Sequence, residues 1–389
     1  MPIASSQLRV SNISPLIIQS EIRSMSVECD RVGGINLAQG VCDTDLPACV
    51  AEAAVAAIAA GHNIYTRLDG IEMLRQAISS KLDRYNGISA DPDSEILVTS
   101  GATGALYAAS LALLNPGDEV ILFEPFYGYH VNTLLSLGMK PVAIPLTAPD
   151  WRLDHDLLRQ AITPRTRALI VNSPSNPSGK VFSLQDLQAI ASLAIQYDLF
   201  VFTDEIYEYF LFGGARHTSL ATLPGMAERT ITISGLSKTF SITGWRIGYL
   251  AASRQWIPSI GYFHDLTYVC SPAPLQHGAA AGLLALPDSF YRELSTEYES
   301  KRDQLCAALA DAGLTPSIPD GAYYVLADAS RIDGETAAKK ARNLLAATGV
   351  AAVAGSAFFM QGRGENMLRF CFGKKPEALD RACAALRKL

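Results

Sequence analysis

The sequence predicts an α/β protein: a large, doubly wound, mostly parallel sheet domain with a smaller α+β domain attached. Three observations carry that prediction. Between Glu95 and Ala251 short apolar runs alternate with helical segments, the rhythm of βαβ units. Several of these runs are continuously apolar rather than alternating, as expected of strands buried on both faces. Beyond Pro287 the rhythm changes to a long helix followed by shorter strands and helices, and 389 residues, 49% of them hydrophobic, exceed one ordinary core.

Taken in order, residues 1–35 read as an arm with a short helix around Ile17 to Met25 and apolar strand-like pieces flanking Gly33-Gly34. Ala48 to Ala60 is alanine-rich and stops at Gly61, a helix with its terminator. Glu72 to Tyr85 places Leu74, Ile78 and Leu82 at helical spacing. Strands are expected at Glu95 to Thr99, Glu119 to Phe123, Pro141 to Ile144, Ala168 to Asn172, Leu199 to Thr203, Thr230 to Ser234 and Ile247 to Ala251. Helices are expected at Gly101 to Leu114, up to Leu137, and at Leu184 to Tyr197. The second unit should hold a long helix, Ser289 to Ala312, strands at Tyr323 to Ala327 and Leu368 to Cys371, and helices at Glu335 to Thr348 and Glu377 to Leu389. No repeat or low-complexity linker separates the parts. The expected division is residues 1–46 as arm and part of the small domain, 47–285 as the large domain and 286–389 as the small one, joined by a helix touching both.

Composition excludes several classes. Charged residues make up 18% and the net charge is -6, with no basic patch for nucleic acid. The longest small-apolar stretch, Ala51 to Ala60, falls short of the ~20 residues that span a bilayer. Met1 to Asn12 has no basic stretch followed by an apolar one, so no signal peptide is expected. The seven cysteines are dispersed without CxxC spacing; this argues against a disulfide framework or a metal site and fits a reducing cytoplasm.

Five segments carry chemistry. In Ser234-Gly-Leu-Ser-Lys-Thr-Phe-Ser-Ile-Thr-Gly-Trp-Arg-Ile-Gly248, Lys238 follows a strand within a turn of small residues, and Arg246 lies eight residues on. A loop lysine alone is usually a solvated surface group. In this context an amine for a carbonyl and a cation for a phosphate stand together. Asp204-Glu-Ile-Tyr207 begins at the end of an apolar strand, where side chains reach the ligand crevice of α/β sheets; Asp204 is otherwise a helix cap. Asn172-Ser-Pro-Ser-Asn-Pro-Ser-Gly179 is a turn whose amides can donate to a ligand or simply close the loop. Ser100-Gly-Ala-Thr-Gly104 joins a strand to a helix N-terminus, which favours an anion, yet it matches neither the P-loop nor the dinucleotide fingerprint. Arg369, near the start of a strand, is either a carboxylate clamp or an edge-strand ion pair.

In this order the segments resemble the class I and II aminotransferases, pyridoxal-phosphate (PLP) enzymes of fold type I with an aspartate-aminotransferase-like architecture. The resemblance runs from about Gly34 to the C-terminus and includes Leu37-Ala-Gln-Gly40, Tyr65-Thr-Arg-Leu-Asp-Gly70, Glu124-Pro-Phe-Tyr127, Asn176-Pro-Ser-Gly179, Asp204-Glu-Ile-Tyr207, Ser237-Lys238 and Arg369. It implies pyridoxal 5'-phosphate as cofactor, a homodimer, and amino and 2-oxo acids as substrates; no metal and a cytoplasmic setting are expected from the cysteine pattern. It implies that Lys238 holds the cofactor covalently and shuttles the proton. Asp204 would face the ring nitrogen, with Asn176 and Tyr207 at the ring oxygen and Tyr127 stacked on the ring. Gly101, Ala102, Thr103, Ser237 and Arg246 would form the phosphate cup, with Tyr65 reaching it from the partner subunit. Arg369, with Gly40 and Asn176, would bind the substrate carboxylate. Two departures stand out: Gly235 replaces a phosphate-binding serine of some members, and Val41-Cys-Asp-Thr-Asp-Leu-Pro47 replaces the usual entrance loop.

The reading is a ping-pong aminotransferase. A lyase or synthase of the same fold, such as a carbon–sulfur β-lyase or an ACC-synthase-like enzyme, shares these motifs. A non-catalytic effector-binding domain lacks support, since no helix-turn-helix precedes Gly34. Tyr268 falls where some dicarboxylate-specific members carry an arginine, and no arginine lies between Trp256 and Pro287. The expected substrate is therefore a neutral or aromatic L-amino acid in a pocket of Tyr127, Tyr268 and the arm near Ile13 and Leu16. Arg67 is the candidate for a second carboxylate.

Overall fold

The computed structural model describes residues 9–17, 21–360 and 362–389. Its strands are β1 (Ile35–Asn36), β2 (Ile96–Ser100), β3 (Glu119–Glu124), β4 (Lys140–Pro145), β5 (Thr166–Asn172), β6 (Phe200–Asp204), β7 (Thr230–Gly235), β8 (Ile247–Ala251), β9 (Thr315–Ser317), β10 (Tyr324–Asp328), β11 (Val350–Ala351), β12 (Val353–Ala354) and β13 (Met367–Cys371). Seven of them form one sheet in the order β2-β8-β7-β6-β5-β3-β4. All pairs are parallel except those of β8, which runs against β2 and β7. The architecture is thus the α/β sheet that the sequence predicts. Leu169, Val201, Ile231 and Leu250 have no solvent exposure, so the continuous apolar runs are strands covered on both faces.

Register positions the site. Asn172 of β5 pairs with Asp204 of β6, and Asp204 pairs with Ile233 of β7. The segments leaving β5, β6 and β7 therefore emerge side by side at one edge, together with the helix Gly101–Leu113 that follows β2. This is the carboxyl edge at which α/β sheets bind ligands.

A second sheet, β12-β13-β10-β9, is antiparallel. β1 pairs with β11, which ties the residues before the large sheet to those after it. The helix Asp288–Asp311 touches both regions. Near its start, Phe290 and Tyr291 meet the rings of Phe240 and Tyr209; further on, Tyr298 meets Tyr323.

Several expectations need correction. The first long helix is Glu21–Arg31 rather than Ile17 to Met25; residues 18–20 of the expected helix lie outside the described residues, as do residues 1–8 of the N-terminal stretch. Met25 and Cys29, four apart, are its buried face, which extends the helix up to the glycine pair and leaves only Ile35–Asn36 extended. The helix from Glu72 keeps α geometry to Lys81 and widens into a π turn over Leu82–Asn86 before Gly87 at φ 72°. That widening lets Lys81 Nζ donate to Asn86 Oδ1 at 2.8 Å. The helices Ile257–Tyr268 and Ala273–Ala285 were not anticipated, because neither segment shows a clear amphipathic period, the second being rich in Ala and Gly. The second packs on Ala48–Ala59, its Gly278 pressed against the Val50 carbonyl and the Ala54 methyl.

Candidate active site

A cavity of about 690 Å³ opens at that sheet edge. Of the residues expected at a site, Gly40, Ala102, Thr103, Tyr127, Asn176, Asp204, Tyr207, Ser237, Lys238, Arg246 and Arg369 line it.

β6 ends in Asp204, which is 9% exposed. His130 Nε2 donates to its Oδ2 at 2.9 Å, and Ile206 N–H to its Oδ1 at 3.3 Å. The His130 ring stands edge-on to Tyr127, with centroids 5.3 Å apart. Tyr207, one turn on, shares a hydrogen bond of 3.0 Å with Tyr324, and burial holds its phenol well above its ordinary pKa. Asn176 is fixed through its backbone N–H, which donates to Asn172 Oδ1 at 2.8 Å.

At one end of the cavity the helix Gly101–Leu113 begins. Gly101 does not line the cavity, but it lies beneath Arg246 at φ 71°, and a side chain there would collide with the guanidinium. Arg246 adopts φ 57° and donates to Thr243 O at 3.1 Å. A helix N-terminus, Thr103, Ser237 and an exposed guanidinium together suit a phosphate. The Gly235 departure has a packing reason: a Cβ there would stand 3.0 Å from the Gly248 Cα and 3.1 Å from Ile206.

Lys238 Nζ donates to Gly40 O at 3.3 Å. Burial lowers its pKa from the ordinary lysine value, and Arg246 adds to the effect. A desolvated amine of this kind is both nucleophile and base. The Val41–Pro47 loop packs against it. Cys42 Sγ lies 3.6 Å from the Lys238 carbonyl, and Thr44 Oγ1 lies 2.6 Å from Ser241 Oγ.

Arg369 is 1% exposed. Its Nη1 donates to Asn176 Oδ1 at 2.9 Å and its Nη2 to Ala38 O at 2.6 Å. The guanidinium lies between the rings of Tyr324 and Phe358, 4.4 and 4.8 Å from their centroids. Its Nε is buried without a partner, an unspent donor of the sort a bound carboxylate satisfies.

Other expected residues lie elsewhere. Tyr65 is 79% exposed and outside the cavity. Arg67 is committed to Asp69 through two hydrogen bonds, 3.0 and 2.7 Å, and does not line the cavity. Tyr268 packs on His264, with centroids 5.3 Å apart, rather than on the cavity. Ile13 and Leu16 are exposed and do not line it either; the helix Glu21–Arg31 supplies Ile22, Arg23, Ser26 and Val27 instead. Sequence reasoning missed His130 and Tyr324, and placed the arm's contribution at Ile13 and Leu16 rather than on this helix. His130 carried one faint signal, its place one helical turn after Tyr127.

The groups form a chemically ordered set. A carboxylate held by an imidazole suits a protonated ring nitrogen, and a phenol and an amide suit a ring oxygen. The cup suits a phosphate, a desolvated amine suits an aldehyde, and a buried guanidinium suits a carboxylate. The residues present therefore fit a pyridoxal-type cofactor and an α-amino acid.

Residues 32–386 match the family model for aminotransferase class I and II. The chain belongs to this family. It is 40% identical over 377 residues to a probable N-succinyldiaminopimelate aminotransferase of Mycobacterium tuberculosis, covering 94% of both chains. It is 36% identical to human kynurenine–oxoglutarate transaminase 3 over 90% of this chain and 83% of that one. The solved structure of an M. tuberculosis N-succinyldiaminopimelate aminotransferase superposes with a TM-score of 0.94 at 38% identity, over 98% of this chain and 99% of that one. The protein is an aminotransferase enzyme of fold type I, and its substrates are amino and 2-oxo acids. The lyase and synthase alternatives are not favoured. Among the described residues no helix is long and apolar enough to cross a membrane.

Proposed function

We propose that the enzyme uses pyridoxal 5'-phosphate, anchored at Lys238, to move the amino group of a neutral or aromatic L-amino acid to a 2-oxo acid by ping-pong chemistry. One observation carries this: the desolvated Lys238 amine, the His130–Asp204 pair and the buried Arg369 share one cavity. When bound, the cofactor supplies a reactive carbonyl and a ring that withdraws electrons. Arg369 binds the substrate α-carboxylate through the face bearing Nε. Asp204, oriented by His130, keeps the proton on the ring nitrogen. Tyr207 and Asn176 hold the ring oxygen, and Tyr127 covers the ring. Lys238, freed when the amino acid arrives, takes the Cα proton and returns it on the other side of the transfer. Gly101, Ala102, Thr103, Ser237 and Arg246 hold the phosphate, and Gly40 shapes the carboxylate end. The proposed domain division remains 1–46, 47–285 and 286–389.

Mixing the enzyme with amino acid alone tests this. The expected result is one stoichiometric burst of 2-oxo acid without ammonia, with further turnover only after a 2-oxo acid is added. Continuous ammonia release would instead mark elimination.

The helix Glu21–Arg31 bears on substrate range. Its Ile22 and Val27 offer apolar surface, and Arg23 is exposed at the rim with no ion-pair partner among the described residues. Arg23 is thus placed to receive a distal carboxylate, which suits the oxoglutarate in the name of the human relative. Arg23→Ala is expected to raise KM for 2-oxoglutarate about fivefold, the scale of an exposed ion pair, and to leave KM for phenylalanine unchanged. Equal effects on both would remove Arg23 from this role.

The apolar residues Ile64, Tyr65, Tyr262 and Leu266 are 82%, 79%, 70% and 76% exposed. This supports a homodimer in which a second copy covers them and Tyr65 enters the neighbouring phosphate cup. Light scattering that finds an active monomer would overturn it. Seven free cysteines support a cytoplasmic setting.

A further inference from the structure

The segment Asp204-Glu-Ile-Tyr-Glu208 is two-faced. Asp204 and Tyr207 look into the cavity; Glu205 and Glu208 look away from it into a buried polar cluster that the roles above leave unused. Glu205 and Glu208 are each 2% exposed. Glu205 Oε2 accepts from Ser219 Oγ at 2.6 Å, His217 Nε2 at 2.8 Å and Asn86 Nδ2 at 3.3 Å. Glu208 accepts from Lys81 Nζ at 2.5 Å, Asn86 Nδ2 at 2.8 Å and Ser234 Oγ at 3.0 Å. Lys81 also donates to Asn86 Oδ1 at 2.8 Å and to Tyr249 OH at 3.1 Å.

The cluster underlies the segments that carry Asp204, Tyr207, Lys238 and Arg246 to the cavity. Glu205 and Glu208 interleave with Asp204 and Tyr207. Ser234 lies four residues before Lys238, and Tyr249 three after Arg246. Its charge balance is the second clue. Two carboxylates face one ammonium, Lys81. Asn86, Ser219 and Ser234 are neutral. The phenols around it stay protonated: burial pushes Tyr249 and Tyr291 up to about 12, and Tyr85 and Tyr209 higher still. Among the described residues of the cluster, His217, whose side chain is 4% exposed and whose Nδ1 is buried without a hydrogen-bond partner, is the group left to neutralise the second carboxylate. The ligand atoms of Glu205, Glu208 and His217 lie within 4.8 Å of one another, a spacing that also suits a metal ion. The oxygens are, however, already engaged by Lys81, Asn86, Ser219 and Ser234.

We propose that His217 stands in this cluster as its imidazolium, the second cation, and is a positioning residue that fixes from behind the turn presenting Asp204 and Tyr207. Burial alone would lower the pKa of His217; the charge of Glu205 and its hydrogen bond, aided by Glu208 and opposed by Lys81, raise it above the ordinary value. The sign follows. A group with a raised folded-state pKa contributes stability that is complete below its unfolded value, about 6.5, and that is lost as pH rises through the folded value. The consequence for turnover rests on the roles proposed for Asp204 and Tyr207; the charge state of His217 does not.

The test follows thermal unfolding of the full-length enzyme from pH 5.5 to 9 in wild type, H217Q and E205Q/H217Q. At pH 6 the H217Q midpoint should fall by about 5 °C and lose the decline that wild type shows above neutral pH. E205Q/H217Q, without the stranded carboxylate, should recover most of the loss. In the same variants the pH titration of bound-cofactor absorbance should shift in H217Q, and kcat should fall about tenfold with KM within about twofold. An H217Q profile parallel to wild type overturns the imidazolium, as does a double variant no more stable than H217Q; if H217Q alone does not fold, the double variant decides. Lost pH dependence with unchanged absorbance titration and kcat overturns the positioning role. Absence of cofactor absorbance in wild type would strike the proposed function and leave the unfolding comparison intact.

Discussion

Lys238→Ala is expected to lower kcat by about 10⁴-fold or more, the largest effect of any single substitution in the chain. Lys238 is asked for two proton transfers, and a positioned side chain contributes about 10²–10⁴-fold to such a step. Its surroundings offer no replacement. Its amine donates to the Gly40 carbonyl at 3.3 Å, which cannot carry a proton. The neighbouring phenols Tyr207 and Tyr323 and the Cys42 thiol are held protonated by burial. The phosphate cup and the Asp204 end are untouched by the substitution, so cofactor should stay bound without a covalent link. Three measurements check this: single-turnover loss of the Cα proton, cofactor content after gel filtration, and mass after borohydride reduction. A variant that turns over within tenfold of wild type, or still gains the mass of a reduced cofactor adduct, would remove Lys238 from the mechanism.

Much of this site is legible in the sequence for one physical reason. In a parallel sheet, residues just beyond strand ends must fall at one edge, so Asn176, Asp204 and Lys238, each following an apolar run, converge whatever the loop details. The phosphate end reads almost as easily, because a small-residue strand-to-helix turn and a cation suffice. What does not read is contact between distant segments. Nothing in Tyr127-Gly-Tyr-His130 says that the imidazole turns back onto Asp204, 74 positions away. Tyr324 reads as a strand residue, and only the pairing of β10 with β13 brings it to the face of Arg369. The helix Glu21–Arg31 is the instructive miss. Its apolar face predicts a helix, but not that the opposite face, with Arg23, closes the cavity. Arg67 misleads for the converse reason: its neighbour Asp69, two residues on, claims it.

The same reasoning separates the two halves of Asp204-Glu-Ile-Tyr-Glu208. Asp204, Ile206 and Tyr207 face the cavity and Glu205 and Glu208 the buried ion cluster, so acidity alone cannot rank the three carboxylates. Geometry does: among the described residues, Glu205 and Glu208 meet Lys81, Asn86 and His217, whereas the Asp204 carboxylate bonds to His130 and a backbone N–H.

Asp204→Ala is accordingly expected to cost about 10²–10³-fold in kcat. Removing one preorganised group that stabilises charge developing in the reaction typically costs about 10²–10³-fold in kcat. The loss should lie in proton removal from the substrate Cα, since Arg369 and the phosphate cup are unaltered, so KM should change little. Asp204→Glu keeps the charge but displaces it by one methylene, and should cost less than Asp204→Ala, up to about 10²-fold. His130 touches Tyr127 as well as Asp204; with the hydrogen bond to Asp204 as its route to the reaction, His130→Ala should have the smaller effect, and the double variant Asp204→Ala/His130→Ala should be no slower than Asp204→Ala alone. That non-additivity is what a shared hydrogen bond of 2.9 Å requires. Pre-steady-state loss of the Cα proton, followed with deuterated substrate in all four proteins, gives the comparison. Additive losses would show that His130 serves the reaction independently of Asp204, and an unchanged rate in Asp204→Ala would show that another group keeps the ring nitrogen protonated.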